Sequence, residues 1–228
     1  MNIPKKNVSE SVYNRLKNIA KERKRPVQEI FKYYSMERFL YRLSISPYQD
    51  SFFLKGGLML MVWNPTSHRS TIDIDLLAKT SNTPENLKNI IKTICSIEMS
   101  PSDGIHFSTD ALLLEKTQVD ADYQGISISF FAQLFTANLP MRIDVGFSDT
   151  IFPNPAKIKY PILLDFPAPN LQGYTPQTSL AEKFQSIVRL GLVNTRMKDF
   201  YDIWLMIHQF QFDRKELNKI VLQVLKNR

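Results

Sequence analysis

Apolar residues recur at helical spacing over Ser9 to Arg23, where Val12, Leu16 and Ile19 share one face. The basic run Lys21 to Arg25 and then Pro26 close that helix, and a second is predicted over Val27 to Ser44. The second is rich in aromatics (Phe31, Tyr33, Tyr34, Phe39, Tyr41), which at this spacing read as core; Arg38 and Arg42, four apart, are expected to face a site. From Phe53 the pattern reads as a strand end, a glycine turn at Gly56-Gly57 and a short buried helix along Leu58 to Trp63. Arg69 to Leu76 reads as a strand with period two: Asp73 and Asp75 point one way, Ile72, Ile74 and Leu76 toward the core. Pro84 to Ile97 is a helix burying Leu87, Ile90, Ile91, Ile94 and Ile97. Strands follow at Ile105 to Leu114, Ile126 to Leu134 and Met141 to Phe147, with a loop at Asp120 to Gly125. The proline-rich stretch Pro153 to Pro176 holds one apolar segment, Tyr160 to Phe166, expected as a connecting strand. Helices are predicted at Ser179 to Leu192, Lys198 to Gln209 and Arg214 to Lys226, with Phe200, Ile203, Trp204 and Ile207 supplying a packing surface on the middle one. The alternation of elements predicts an α/β (α+β) fold: a mixed sheet at residues 49–165, helices at 1–48 packed on it, and a helical part at 166–228.

Composition narrows the partners more than the fold. A chain of 228 residues can bury a full core. The 29 Lys and Arg against 22 Asp and Glu give a net charge of +7, which favours an anionic partner such as nucleic acid. Cys95 is the sole cysteine, so no intramolecular disulfide forms; beside Ile91 and Ile94 it reads as a buried structural thiol in a reducing compartment. Met1 to Arg25 has no apolar signal segment, and the run Phe52 to Trp63 is too short to cross a membrane, so a cytoplasmic location is expected.

The chemistry concentrates around the glycine turn. Asp73 and Asp75 on one strand face repel unless a cation lies between them, and Mg²⁺ suits such a pair because it takes oxygen ligands and shares them with phosphates. Gly56 and Gly57 let a ligand approach the backbone, and a helix starting there aims its free N–H groups at an anion. Asp144 is a third candidate carboxylate; the alternative is that it pairs with Arg142 on an exposed sheet face. His68, His106 and His208 show no metal-ligand spacing. Carboxylates, a phosphate-approach turn and downstream lysines are the requirements of metal-dependent nucleotidyl transfer, in which charge neutralisation and alignment do most of the work.

Several blocks carry a resemblance: Leu54-Lys55-Gly56-Gly57, Arg69-x-Thr71-x-Asp73-x-Asp75-Leu76, Arg142-Ile143-Asp144, Ala181-Glu182-Lys183, and Asn194 to Asp202, with Glu37 to Leu43 in the second helix. In these the chain resembles the AbiEii/AbiGii (MenT-like) nucleotidyltransferase toxins of the polymerase-beta-type superfamily. The resemblance implies that residues 49–165 are a nucleotidyltransferase core completed by the C-terminal helices. It also implies a toxin of a bacterial toxin–antitoxin system that uses a nucleoside triphosphate and Mg²⁺ to add nucleotides to the 3′ acceptor end of tRNA. By similarity Asp73 and Asp75 are metal ligands, Lys183 contacts the triphosphate, and Asp199 belongs to the motif that completes the site. Lys55, Arg69 and Lys198 are then phosphate contacts, and Thr71 stands where the family carries a Ser or Thr open to modification. The turn is Gly-Gly where the wider superfamily has Gly-Ser, so no serine hydroxyl assists there. The expected partners are tRNA and a cognate antitoxin, with no membrane and a monomeric chain. Rival readings are a transferase that modifies a protein or small molecule, a phosphotransferase acting on a protein, and an inactive nucleic-acid- or antitoxin-binding module.

Overall fold

A computed structural model describes residues 7–65, 69–118, 124–147, 151, 153–191 and 194–226. His68 and most of the expected loop at Asp120 to Gly125 lie outside them. Two amphipathic helices lead: α1 (Val8–Glu22), capped by the Asn7 side chain accepting from the Glu10 amide, and α2 (Val27–Ser44). The α1 stripe Val12, Leu16 and Ala20 is buried, whereas α2 is buried nearly all round, as a helix enclosed by other elements must be. Then come β1 (Phe52–Lys55), α3 (Gly57–Trp63), β2 (Ile74–Ala78) and α4 (Pro84–Cys95). Thr83 caps α4 and Pro84 occupies its first turn, where the missing N–H costs nothing. Three long strands, β3 (Ile105–Gln118), β4 (Gln124–Leu134) and β5 (Ala137–Phe147), precede the short β6 (Ala156–Lys159) and β7 (Asn170–Gly173). Helices α5 (Pro176–Leu190), α6 (Met197–Gln209) and α7 (Arg214–Lys226) close the chain.

The sheet runs β3-β4-β5-β2-β1-β7-β6. β1 and β2 are antiparallel, as are β3 with β4 and β4 with β5, while β2 and β5 are parallel. The mixed α/β class therefore agrees with the sequence. The chain divides into two compact units, one of Met1–Ser148 with Lys157–Gln172, the other of Asp149–Ala156 with Gly173–Arg228.

In the first unit α2 packs on β5 and α4. Phe39, Phe107 and Phe130 meet at ring-centroid distances of 5.9–6.0 Å, within the range of favourable aromatic pairs. Each such ring fully buried contributes about 1.5–3 kcal/mol of hydrophobic stabilisation. Cys95 is buried among Ile91, Ile94 and the sheet, and burial pushes its thiol up to about 12. Its inert structural role agrees with the sequence reading.

Two expectations fail here. Arg38 and Arg42 do not face a site. Arg42 holds Asp103 with two nitrogens at 2.7 and 3.0 Å, and Arg38 donates to the Pro167 carbonyl at 2.8 Å beside Glu37. Both guanidiniums are internal ties between α2 and distant loops. Nor is Tyr160 to Phe166 a strand: the chain bends there, Phe166 N–H returning to the Leu164 carbonyl at 2.8 Å, and β6 and β7 form on either side. Pro161 removes a ladder donor at the start of that stretch.

In the second unit α5 packs against both α6 and α7. Thr175 caps α5 by accepting from the Thr178 amide at 3.2 Å. Phe200, Trp204 and Ile207 are not packed as expected but lie 43–55% exposed, because Asp199, Asp202 and Met206 take the inward face of α6.

Candidate active site

A row of polar side chains crosses the sheet of the first unit. Lys55 ends β1 opposite Asp75 of β2, Asp75 is in register with Asp144 of β5, and Asp144 is in register with Ser127 of β4. Residues paired across strands share a face, so Lys55, Asp75 and Asp144 stand side by side at strand spacings of about 4.8 Å. Asp144, read in the sequence as a third carboxylate on a separate strand, is thus the neighbour of Asp75. Asp144 also carries the ion pair weighed against it: Arg142 Nε donates to its two oxygens at 3.1 and 3.3 Å. That contact holds the Arg142 guanidinium above its ordinary value.

The glycine turn is fitted to this row. Gly56 has φ +67° and ψ −149°, a conformation that side chains other than glycine's do not tolerate. A β-carbon at Gly56 would lie 2.5 Å from Asp75 Cγ, and one at Gly57 2.7 Å from Thr71 Oγ1 and 3.4 Å from Arg69 Nη1. The carboxylate of Asp75 and the hydroxyl of Thr71 thus rest directly on the glycine backbone. Gly56 with Asp75, and Gly57 with Thr71 and Arg69, are brought together around the turn.

Asp73 is placed differently from expectation. The strand begins only at Ile74, and Ile72 is 59% exposed where a core position was predicted. The cause is pairing: β1 ends at Lys55 opposite Asp75, and the turn at Gly56 leaves residues 69–73 no strand on that side. Helix α2 holds the segment instead. The Thr71 amide donates to the Tyr33 hydroxyl at 3.3 Å, and Ser70 donates to Glu29, which Arg25 also bridges. Asp73 lies near Lys32 of α2. Burial pushes the Lys32 ammonium below its ordinary value, and the charge of Asp73 works against that fall. Lys32 and Tyr33 are site neighbours that periodicity assigned only to a helix, since no sequence signal says which loop a helix face will meet.

In the second unit Lys183 of α5 is locked between two carboxylates of α6, Asp199 at 2.9 Å and Asp202 at 2.7 Å. The side chains are 13%, 8% and 0% exposed, so the triad is nearly dry and its ion pairs are weakly screened. Asp199 and Asp202 sit three apart, which places both on the face of α6 that meets α5. Lys198, the adjacent candidate phosphate contact, points to solvent. Asp202 was seen as part of the C-terminal motif but not as a site residue; it is the more deeply buried partner of Lys183.

Among the described residues no group of three or more His, Cys, Asp or Glu side chains is assembled as one that could hold a metal ion. The donor chemistry of the Asp75–Asp144 pair, with Asp73 two residues upstream, is that of a hard cation which takes one or two carboxylates and completes its shell with substrate phosphates.

The acidic row and the glycine turn thus lie on adjacent strands of one mixed sheet. The fold is similar to that in the crystal structure of JHP933 from Helicobacter pylori, with a TM-score of 0.54, 12% identity, and coverage of 88% of this chain and 93% of that one. Lesser likenesses are to ANT(2″)-Ia in complex with adenylyl-2″-tobramycin (TM-score 0.47, 10% identity, 83% and 94% covered) and to an antigenic nucleotidyltransferase-like protein from Paracoccidioides brasiliensis (0.46, 14%, 86% and 90%). The chain belongs to the AbiEii nucleotidyl transferase toxin family of type IV toxin–antitoxin systems, whose model matches residues 38–228. Membership of a toxin–antitoxin family implies an antitoxin partner. No functionally curated protein matches the chain in sequence. Among the described residues no helix is long and apolar enough to cross a membrane.

Proposed function

We propose that this protein is an Mg²⁺-dependent nucleotidyltransferase toxin that adds nucleotides from a nucleoside triphosphate to the 3′ acceptor end of tRNA, and so blocks translation. The observation that carries the transfer chemistry is the register of Asp75 with Asp144 beside the Gly56 turn, within a chain of the AbiEii family. In this reading Asp73 and Asp75, with Asp144, would hold Mg²⁺, which would supply Lewis-acid polarisation of the triphosphate and of the attacking hydroxyl. Lys55, Arg69 and Lys198 neutralise phosphate oxygens, and the backbone at Gly56 and Gly57, with the Thr71 hydroxyl, borders the phosphates. Lys183 contacts the triphosphate; Asp199, with Asp202, fixes the direction of its ammonium. The net charge of +7 favours an RNA acceptor over a neutral small molecule, and the protein works in the cytoplasm where that RNA is found.

The test is incubation of the purified protein with total tRNA, Mg²⁺ and each labelled nucleoside triphosphate in turn. Label on tRNA, absent with Asp73→Ala, establishes the reaction and names the nucleotide. Label on protein instead of RNA moves the activity to a protein acceptor and rejects the tRNA assignment.

A further inference from the structure

Helix α6 of the second unit turns its polar side inward and its apolar side out. Asp199 and Asp202 face Lys183, whereas Met197, Phe200, Tyr201, Trp204 and Ile207 are 42–70% exposed. Steps of three and four residues place those five on one face of the helix, away from the triad. Scattered exposed apolar residues are ordinary, but a continuous stripe of them marks an interface.

The stripe is ordered before anything covers it. The Tyr201 and Trp204 rings lie 5.9 Å apart, those of Trp204 and His208 4.5 Å, and His208 Nδ1 is 2.8 Å from the Trp204 carbonyl. Rings already held in place lose little freedom on association. A whole aromatic side chain offers about 150–250 Å², so these exposures leave about 500 Å² of apolar surface on each copy. Two copies brought together cover about 1,000 Å², where specific interfaces begin. The charges suit a second copy better than an RNA or an anionic membrane. Either would need cations along the stripe, but the exposed Arg196 and Lys198 both stand at one end. Arg196 occupies the N-cap, where the helix dipole disfavours a cation, and the last turn has no Lys or Arg beside its carbonyls.

We infer that this face of α6 pairs with the same face of a second copy, the two helices crossing antiparallel about a two-fold axis. Met197 of each copy then meets Ile207 of the other, and Trp204 lies near the axis. Arg196 reaches the C-terminal end of the opposite α6, where a cation is favoured. Repulsion between two chains of net charge +7 is screened at physiological salt. The contact braces α6 on the side opposite Lys183, and it needs neither metal nor nucleotide. The chain is then a dimer rather than the monomer expected from its sequence.

The experiment is sedimentation equilibrium of the full chain, without metal or nucleotide, from about 1 to about 200 µM, the range in which an interface of this size associates. A monomer–dimer equilibrium with a micromolar Kd is expected. Trp204→Arg, at a residue 54% exposed and so tolerant of change, should weaken it at least tenfold with circular dichroism unchanged. Arg196→Glu should weaken it severalfold. Leu222→Arg, equally exposed but on α7, which packs on α5, should leave it unchanged. A chain still monomeric at the highest concentration overturns the inference. Binding of that monomer, but not of its Trp204→Arg form, to tRNA or to phosphatidylglycerol vesicles would then give the face to RNA or to a membrane. A dimer untouched by Trp204→Arg, or weakened as much by Leu222→Arg, also overturns it, and one unaffected by Arg196→Glu overturns the antiparallel crossing.

Discussion

Asp75 on β2 stands directly beside Asp144 on β5, two carboxylates at matched positions of adjacent parallel strands. At a strand separation of about 4.8 Å two carboxylates repel, and Arg142 already pairs with Asp144. A cation bound between them should therefore stabilise the fold as well as serve the reaction. Thermal unfolding with increasing Mg²⁺ is expected to show a rising Tm for the native chain and a flat response for Asp75→Asn. Saturating metal at about 100 times Kd corresponds to about 2.7 kcal/mol. Asp75→Asn should also lower the rate of transfer by about a hundredfold or more while leaving circular dichroism unchanged. A Tm response to Mg²⁺ that survives in Asp75→Asn would locate the metal elsewhere.

Gly56 tests how tightly the turn is matched to that pair. Alanine there meets both an excluded backbone conformation and the Asp75 carboxylate. Glycine-only geometry alone costs about 1–3 kcal/mol, and the displaced carboxylate adds loss of activity. Gly191 is the control, since it too has positive φ, +52°, but nothing lies within 4 Å of its added β-carbon. Urea unfolding should find Gly56→Ala the more destabilised and transfer assays should find only Gly56→Ala inactive. Equal effects of the two substitutions would remove the steric argument.

The Lys183–Asp199–Asp202 triad makes a different prediction, because breaking a dry ion pair leaves a charge without its partner. Asp202→Ala, at the fully buried end, is expected to cost about 3–5 kcal/mol. Lys183→Met removes the cation both carboxylates share and should cost a similar amount. In a double-mutant cycle the two losses should be far from additive. Additive losses would mean that the 2.7 Å contact is not an energetic link.

How far such features were legible varies with their range in the chain. The α2 and α7 boundaries at Val27, Ser44, Arg214 and Lys226 were read from periodicity, with Pro26 marking the break before α2, all local signals. That a glycine turn lies beside the strand carrying Asp75 was legible from the strand and turn patterns; that Thr71 rests on Gly57 was not, since it depends on how the segment before the strand folds back. The Arg38 and Arg42 partners were not, because Pro167 and Asp103 are 129 and 61 residues away and no helical pattern encodes them. The same limit hid Lys32 and Tyr33, whose neighbours Asp73 and Thr71 are supplied by tertiary packing. Ile72 failed for a subtler reason: alternation was present, but the partner strand had already turned away at Gly56. Periodicity shows which face a residue would take in a strand, not whether a neighbour exists to make the strand.

Two glutamates on α2, Glu37 buried and Glu29 partly exposed, should give stability a pH dependence of opposite sign in two windows. For Glu37, burial outweighs the nearby Arg38 and pushes the carboxyl up to about 7 from an ordinary 4.5, with Asp103 acting in the same direction. The folded state then holds a proton that the unfolded chain has released, so stability falls as pH rises between these values. For Glu29, burial works upward, but hydrogen bonds from Ser70 and Arg25 and the charge of Arg25 leave the carboxyl below its ordinary value. Its contribution is present above the unfolded pKa and is lost as pH falls through the folded one. Glu37→Gln should accordingly flatten the decline seen between about pH 5 and about pH 8, while Glu29→Gln should act only below about pH 5. Urea unfolding of both variants across that range checks the assignment. A Glu37→Gln protein that keeps the native slope above pH 5 would mean that Glu37 is ionised in the folded chain throughout.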